Sequence, residues 1–307
     1  MTPSWSRPEL DALFDQTEYL AARPRTVQEL PGGLTNRNYK VTTPDGTFVA
    51  RIASGGTELL AIDRDCEYRN SVAAAAAGAG APVIEYRPGD RLLVLHFIEG
   101  RTLASADVAA EQNLPRIAAA CRRLHAGGRF GNDFDMFDIQ RGYLAVARSR
   151  GFRIPAGYDD LLPPFTAAQK ALAVRATATV PCHNDLLAAN FIDDGDRIWL
   201  IDYELSGNND PCFELGNIGA ESGLSADALA ELVTAYCGRP RRSMIARARL
   251  LGLVGMYGWA LWGAIQHAAS PIDFDFWAWA MERFDGAARG FTAAGFTDLL
   301  EDAQLDD

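Results

Sequence analysis

The segment Cys182–Asn190 constrains this chain more than any other part of its sequence. It places a histidine, an aspartate and an asparagine at fixed offsets, as His183, Asp185 and Asn190. Twelve residues after the asparagine, a short apolar segment leads into Asp202. Phosphoryl transfer needs a positioned nucleophile and metal ions that bridge the phosphates, and this spacing is the one found in kinase catalytic loops. The pattern therefore predicts a catalytic loop and a metal-binding strand end.

The acidic and amide side chains of this pattern have separate predicted roles. Asp185 is placed to face an acceptor hydroxyl, and Asn190 and Asp202 offer the hard oxygen ligands that Mg²⁺ prefers. Taken singly, an aspartate in a loop usually caps a turn, and one that follows a strand usually ends it. The joint pattern favours the kinase interpretation. Glu204 is left open between contact with a second metal through water and a strand-end position.

The composition is that of a globular protein. The chain has 307 residues, 48% of them hydrophobic and 22% charged, which is enough for two lobes with a buried core. It carries 29 basic and 40 acidic side chains, for a net charge of −11. This charge repels nucleic acid and acidic membranes and attracts a small cation, so we expect no nucleic-acid partner.

The cysteines and the apolar segments indicate in which compartment the protein is expected and whether it inserts into a membrane. The five cysteines are odd in number and form no CxxC pair, which argues against a disulfide framework or a zinc site and predicts a reducing cytoplasm. The first twenty residues include four acidic ones and do not resemble a signal peptide. The longest uncharged run, Leu250–His267, falls short of the roughly 20 residues of a membrane span, so we expect a buried helix and no membrane insertion.

The predicted elements are rich in strands first and in helices later. The first part is predicted to contain the strands Thr26–Leu30, Asn38–Thr42 and Thr47–Ile52, the helix Glu58–Gly78, and a hairpin of Pro82–Tyr86 with Arg91–Ile98. Helices Leu114–His125 and Pro163–Ala176, two strand-like pieces within Val180–Glu204 and a mostly helical region from Leu224 follow. The segment Glu99–Thr102 between the two parts reads as a hinge, so we divide the chain into lobes 1–98 and 99–307.

Several segments resemble a known family. His183–Asn190 together with Ile201–Glu204 resembles the choline/ethanolamine kinase branch of the aminoglycoside phosphotransferase-like kinases. Further similar segments are residues 32–41, 51–52, 55–58, 62–64, 208–211 and 213–217, and the resemblance covers residues 26–290. It implies an α+β, two-lobed protein kinase-like fold, in which an antiparallel sheet with one main helix precedes a larger, mostly helical lobe.

The resemblance also implies ATP and Mg²⁺ as cofactors. The turn Gly32-Gly33 is expected to cover the phosphates, with Asn36 and Asn38 as side-chain donors near them. Two glycines by themselves also fit an ordinary hairpin turn, and the chain has no Walker loop. Phe97 and Ile98, at the junction of the lobes, are expected to meet the adenine through backbone groups.

Arg51 stands where kinases in general have a strand lysine, and the choline kinase branch is similar in using arginine. Its guanidinium can hold a phosphate through two parallel hydrogen bonds. A kinase pairs this strand cation with a helical glutamate, for which we expect Glu67, with Glu58 as the second choice. An exposed arginine on an edge strand is the alternative interpretation.

The acceptor site is expected in the helical lobe. Trp259 and Trp262 lie three residues apart and therefore on one helical face. By resemblance they join Trp279, and optionally Phe274, in an aromatic cage around a quaternary ammonium, with Glu221 as the acidic residue of the pocket. Each aromatic face can contribute about 0.5–2 kcal/mol to binding such a cation. A tryptophan pair in an apolar helix is also typical of a plain core, so both interpretations stay open.

These features predict an ATP-dependent kinase whose partner is a small cationic amino alcohol, with choline in first place. Ethanolamine, an aminoglycoside or thiamine are the alternative acceptors. Leu187 stands where many eukaryotic choline kinases are polar, which puts the expected orientation of the hydroxyl in doubt. A non-catalytic kinase-like binding module usually lacks a metal ligand or the catalytic aspartate, whereas Asp185, Asn190 and Asp202 are all present.

Overall fold

An antiparallel sheet precedes a mostly helical region, which confirms the predicted α+β fold. The structure is a computed structural model that describes residues 5–31, 33, 35–53, 57–60 and 62–307, without the side chains of residues 57 and 58. The elements of the first region are α1 (Arg7–Phe14), β1 (Thr26–Leu30), β2 (Asn36–Thr43), β3 (Gly46–Ala53), α2 (Arg64–Ala76), β4 (Val83–Arg87) and β5 (Leu92–His96).

The five strands pair antiparallel in the order β1-β2-β3-β5-β4. Because side chains alternate along a strand, each strand presents one set of residues to each face. Tyr39, Val41 and Phe48 are buried on the face that α1 covers, which gives the N-terminal segment its packing role. Asn38 and Arg51 are direct partners across β2 and β3 and lie on the opposite face. That face is the one that lines the cleft described below.

The second region combines helices with short strands. Its helices are α3 (Ser105–Val108), α4 (Leu114–His125), α5 (Met136–Arg150), α6 (Leu162–Val174), α7 (Pro211–Ser222), α8 (Ala226–Cys237), α9 (Arg242–Ala269), α10 (Phe276–Phe291) and α11 (Phe296–Asp302). Its strands are β6 (Arg101–Thr102), β7 (Val180–Cys182), β8 (Phe191–Asp193), β9 (Ile198–Leu200) and β10 (Gly207–Asn209). Strands β6, β8 and β9 form one small sheet, and β7 pairs with β10.

Some predicted bounds are wrong, for local reasons. The predicted helix Glu58–Gly78 starts too early. Residues Thr57–Leu60 form a short 3₁₀ turn, and the α-helix itself, α2, begins only after Asp63. The Asp63 carboxylate caps α2 by accepting two backbone N–H groups at 2.9 and 3.0 Å. The predicted hinge Glu99–Thr102 is partly a strand, because its second half is β6 and pairs with β8. Helices α3, α5 and α7 were not predicted.

Helix α9 is the buried helix that the uncharged run predicted. It is long and apolar enough to cross a membrane by length and composition alone, but 83% of its most apolar window is buried inside the protein. Helix α7 packs against it and is itself buried at every position from Pro211 to Gly219. These two helices form the centre of the helical region.

Glycine permits the close approach of α7 and α9. A Cβ atom added at Gly216 of α7 would lie 2.1 Å from the carbonyl oxygen of Ala248 and 2.7 Å from the nitrogen of Gly252, both in α9. A Cβ atom at Gly252 would in turn lie 2.8 Å from the Gly216 oxygen. Both obstacles are backbone, so no side-chain rotation can make room.

We expect Gly216→Ala to destabilise the protein by about 1–3 kcal/mol, because the added methyl group must push two packed helices apart. Urea unfolding followed by circular dichroism measures the effect. Gly142→Ala is the matched control, since Gly142 lies on the exposed side of α5 and nothing comes within 4 Å of an added Cβ.

The control should be as stable as the original chain or more stable by up to about 1 kcal/mol, because alanine favours a helix over glycine. A Gly216→Ala variant with unchanged stability would contradict the close packing of α7 and α9.

Candidate active site

The loop between β7 and β8 carries the predicted catalytic residues. Asn184 in this loop has a positive φ of 68°, and Asp202, which lies outside the loop and follows β9, has a φ of 78°. Residues other than glycine rarely adopt such angles, and asparagine and aspartate do so most readily. Strained backbone of this kind persists only where the surroundings hold it, which is common at functional sites.

A buried carboxylate on α7 holds this loop. Glu214 has no solvent exposure, and its two oxygens accept the backbone N–H groups of His183 at 3.2 Å and Asn184 at 2.8 Å. The Nε2 atom of His125 lies 3.2 Å from the same carboxylate. Burial acts to raise the pKa of Glu214, but the contact with His125 and the loop amides outweighs it and lowers the pKa. Glu214 is therefore an ionised anchor for the loop.

His183 is bonded within the loop at both ring nitrogens. Its Nε2 donates to the carbonyl oxygen of Ile201 at 2.7 Å, and its Nδ1 accepts the backbone N–H of Asp185 at 3.3 Å. Complete burial lowers the pKa of His183, which favours the neutral ring that this bonding requires. The ring supports the loop and has no free nitrogen to take a proton.

Asp185, Asn190 and Asp202 lie together. The Asn190 amide nitrogen donates to the Asp185 carbonyl oxygen at 2.7 Å, and the backbone N–H of Ile201 donates to the Asn190 carbonyl oxygen at 3.0 Å. Because β8 and β9 pair with Phe191 opposite Leu200, Asn190 and Asp202 sit at the same end of that pair. The Asn190 amide oxygen and the Asp202 carboxylate are hard donors of the kind that Mg²⁺ takes.

The two carboxylates of this group differ in basicity. Burial, followed by the charges of Asp202, Glu221 and Glu204, raises the pKa of Asp185 well above its usual range, although part of its surface stays open. Burial acts in the same direction on Asp202, but the adjacent Arg51 outweighs it and lowers the pKa of that carboxylate. Neighbouring acids with pKa values pushed apart are typical of a base next to a permanent anion.

Arg51 lies at the centre of a buried charge network. Its Nε atom is 2.9 Å from Glu67 Oε1, which makes an ion pair between the two residues that the sequence predicted as partners. The geometry of this contact is that of an ion pair without a hydrogen bond from the Nε–H group. Its Nη2 atom contacts Asp202 and lies 3.3 Å from Glu204. Burial alone would lower the pKa of Arg51, but the three carboxylates raise it. The side chain of Glu58 lies outside the described residues.

Glu204, which follows β9, is bonded to residues at the start of β2. The Thr35 hydroxyl donates to its two oxygens at 2.6 and 2.7 Å, and the Asn36 amide donates at 2.8 Å. Arg64 of α2 lies 2.9 Å from Glu204 and 2.7 Å from Glu67. Thr35 and Arg64 were given no role by the sequence, since only folding brings them to a carboxylate about 140 to 170 positions away.

The described part of the glycine turn is tight. Gly32 lies outside the described residues, whereas Gly33 has a φ of 91°, and a Cβ atom there would lie 2.5 Å from the Asn36 carbonyl oxygen. Only glycine fits this position without strain. Asn38 lies on the cleft face of β2, and the side-chain oxygens of Asn36 and Asn38 are buried without a hydrogen-bond donor among the described residues.

The junction of the two regions adds an apolar wall to the cleft. Its lining includes Ala81, Leu93, Leu95, Leu200 and Ile201, with Arg51 and Asp202 at the polar end. The Phe97 N–H donates to the Thr47 carbonyl oxygen at 3.0 Å and so completes the sheet. Because the Phe97 N–H is already bonded, it is not available to adenine. The prediction that backbone groups here meet the adenine is therefore limited to the carbonyl oxygen of Phe97 and the backbone of Ile98.

The predicted aromatic residues are largely buried. Trp259 and Trp262 are 3% and 7% exposed, and the Trp259 Nε1 donates to the Asn217 side-chain oxygen at 3.1 Å. The ring centroids of Trp262 and Trp279 lie 5.2 Å apart. Phe274 is 43% exposed and pairs with the ring of Phe276, which in turn pairs with Trp262, so Phe274 is the least enclosed of the predicted aromatic residues.

The predicted acidic residue of the pocket has a partner that the sequence analysis did not assign. Glu221 forms a two-pronged ion pair with Arg283 of α10, whose Nε lies 3.1 Å from Glu221 Oε1 and whose Nη2 contacts Oε2. The Arg283 guanidinium also lies over the Trp279 ring, 3.4 Å from its centroid. The charges of both residues act on the pKa of Asp185, so this pair is close to the catalytic loop.

Comparison with known proteins agrees with this geometry. The family model described as "Phosphotransferase enzyme family" matches residues 26–251. Protein LicA of Haemophilus influenzae is 28% identical over 269 residues, which cover 83% of this chain and 97% of LicA. Ethanolamine kinase 2 of Mus musculus is 28% identical over 264 residues, which cover 77% of this chain and 68% of that kinase.

The solved structures give the same result. The crystal structure of a choline/ethanolamine kinase family protein from Mesorhizobium loti matches with a TM-score of 0.86 and 29% sequence identity, over 97% of this chain and 99% of that one. The fold, the loop geometry and the relatives all agree. The chain therefore belongs to the phosphotransferase enzyme family, as a small-molecule kinase of the choline/ethanolamine kinase type.

Proposed function

We propose that this kinase transfers the γ-phosphate of ATP to the hydroxyl of choline, which gives phosphocholine and ADP. The observation that carries the proposal is the tryptophan group beside the catalytic loop. Trp262 and Trp279 lie in contact, and Arg283, which stacks on Trp279, is near enough to act on the pKa of Asp185. An acceptor that rests against these rings is thereby close to a basic carboxylate.

Asp185 is the proposed base. It binds the acceptor hydroxyl and takes its proton as the oxygen forms a bond to the γ-phosphorus and the bond to the ADP oxygen breaks. The raised pKa of Asp185 makes it a stronger base than an ordinary aspartate, which suits it to a proton transfer near neutral pH. Asn190 and Asp202 are the proposed ligands of Mg²⁺, and the bound metal would offset negative charge on the phosphates.

The groups around Glu204 are the proposed phosphate-binding set. A hydroxyl, an amide and two guanidinium groups, from Thr35, Asn36, Arg51 and Arg64, now surround the carboxylate of Glu204. The same donors suit phosphate oxygens, which are anionic acceptors of similar geometry. We propose that the triphosphate of ATP accepts from these donors together with the glycine turn.

The aromatic residues favour choline as the acceptor. A quaternary ammonium has no N–H group, so hydrogen bonds cannot hold it, whereas aromatic faces attract it in a desolvated site. Ethanolamine is the second candidate, because one relative at 28% identity is an ethanolamine kinase. Its ammonium has three N–H groups that need acceptors when they leave water.

A coupled ADP-release assay with choline, ethanolamine, thiamine and kanamycin tests the proposal. We expect the highest kcat/KM with choline. Highest activity with ethanolamine or another alcohol would overturn the choice of acceptor. Nucleotide binding without turnover of any acceptor would overturn the catalytic proposal itself.

We expect Asp185→Asn to lower kcat by roughly 10²–10⁴-fold, because the amide cannot take the proton of the hydroxyl. The affinity for ATP, measured by fluorescence titration, should change little. Asp138→Asn is the matched control, since Asp138 is exposed on α5 and should tolerate the change without loss of activity.

The variant Asp185→Asn should also change the melting temperature, by an amount that depends on pH. The folded-state pKa of Asp185 lies above its unfolded value, so its ionisation destabilises the fold increasingly as the pH rises above about 4. Without nucleotide or metal, Asp185→Asn should therefore melt at a higher temperature than the original chain at about pH 8, and the difference should vanish near about pH 3. Turnover close to that of the original chain would contradict the proposed base.

We expect Trp262→Leu to raise the KM for choline by about 2- to 30-fold, because one aromatic contact with the cation is lost, with little change in the KM for ATP. Trp199→Leu is the control, because Trp199 lies on β9 and contacts Arg197 and Asp194, neither of which is a predicted acceptor residue. An equal rise in both KM values, with a lower melting temperature, would point to a plain core role for Trp262.

A further inference from the structure

The acceptor site already contains a cation of its own. Arg283 holds both oxygens of Glu221, one through Nε at 3.1 Å and the other through Nη2. The side chains of Glu221 and Arg283 are 4% and 11% exposed, so water offers little competition for this pair. Two parallel charge-assisted bonds of this kind also fix the orientation of both groups.

The aromatic wall holds Arg283 on its other side. The Arg283 guanidinium carbon lies 3.4 Å from the centroid of the Trp279 ring, and Nη1 donates to the Trp279 carbonyl oxygen at 3.3 Å. Trp279 in turn contacts Trp262. Arg283 is therefore clamped between the carboxylate on α7 and the ring on α10, and it is not free to swing out as an acceptor enters.

This arrangement changes what Glu221 can do. The sequence suggested that its carboxylate offsets the charge of the acceptor cation, but Arg283 already offsets that carboxylate's charge and donates to both of its oxygens. Glu282 lies 3.6 Å from Arg283 but is 80% exposed, and an exposed ion pair contributes little. It cannot take the place of Glu221 as the partner of Arg283.

The two candidate acceptors respond differently to a carboxylate that is already bonded. A quaternary ammonium needs only aromatic and weak electrostatic contacts. A primary ammonium loses hydrogen bonds to water on entry and must find acceptors in the protein, and each buried donor left unpaired weakens binding. To bond with Glu221, it would have to share the two carboxylate oxygens with a guanidinium that already offsets their charge.

We propose that Arg283 is a specificity-determining residue of the acceptor site, because it competes with the acceptor for the Glu221 carboxylate and so favours a quaternary over a primary ammonium. This inference rests on the proposed function. It assigns the selectivity to the ion pair between α7 and α10, and not to the tryptophan rings alone.

The variant Arg283→Met tests the inference, because it keeps much of the side-chain volume over Trp279 and releases the Glu221 carboxylate. We expect the ratio of kcat/KM for choline to that for ethanolamine to fall about tenfold or more, the size of one hydrogen bond to a charged group. Arg283→Lys should give a smaller fall, since a lysine cannot hold both oxygens.

Two further variants test whether a change in the kcat/KM ratio comes from the Glu221 carboxylate or from the neighbouring Glu282. In the double variant Glu221→Gln with Arg283→Met, the carboxylate is absent, so the gain for ethanolamine should be lost. Glu282→Gln removes the exposed neighbouring acid and should leave the ratio unchanged. The KM for ATP and the melting temperature report whether each variant is folded, and Arg283→Lys keeps the test decisive if Arg283→Met does not fold.

The outcomes distinguish this inference from the proposed function. An original chain without choline activity would overturn the proposed function, whatever the variants do. An original chain that prefers choline, with folded Arg283→Met and Arg283→Lys variants whose ratio is unchanged, would overturn the role of Arg283 alone.

Discussion

The catalytic site depends on one buried carboxylate. Glu214 holds the backbone of the catalytic loop through the N–H groups of His183 and Asn184, and the loop in turn carries the proposed base and one proposed metal ligand. A buried acid is costly unless its oxygens are satisfied, and here the two backbone N–H groups that help to satisfy Glu214 belong to the loop. The bonds that stabilise this carboxylate therefore also fix the geometry of the site.

Helix α7 extends this logic to the acceptor side. Glu214, Asn217 and Glu221 are spaced three and four residues apart, which places them on one face of the helix. They bond respectively to the catalytic loop, to Trp259 of α9 and to Arg283 of α10. The close glycine contact with α9 leaves this polar face little freedom to shift. One buried helix thereby sets the distance between the proposed base and the residues proposed to bind the acceptor.

The sequence predicted local features better than long-range ones. The strand β1 and the helix α4 have the predicted bounds, because turn residues and helix signals mark them directly. Helix α7 was missed because Gly216 and Gly219 lower its intrinsic helix propensity, and burial overrides that preference. The partners of Glu204 and Glu221 were missed because they are distant in sequence. A lone glutamate in the apolar segment 211–219 was the available signal for an anchoring role of Glu214.

The variant Glu214→Gln tests the anchor most directly. Glutamine has about the same shape, but its amide nitrogen cannot accept a hydrogen bond, so one loop N–H would lose its acceptor and face a donor. Steady-state kinetics with ATP and the best acceptor should show a kcat at least about tenfold lower, because the loss of one hydrogen bond to a charged group has about this effect. Both KM values should be nearly unchanged. A kcat equal to that of the original chain would contradict the claim that Glu214 holds the catalytic loop in its working geometry.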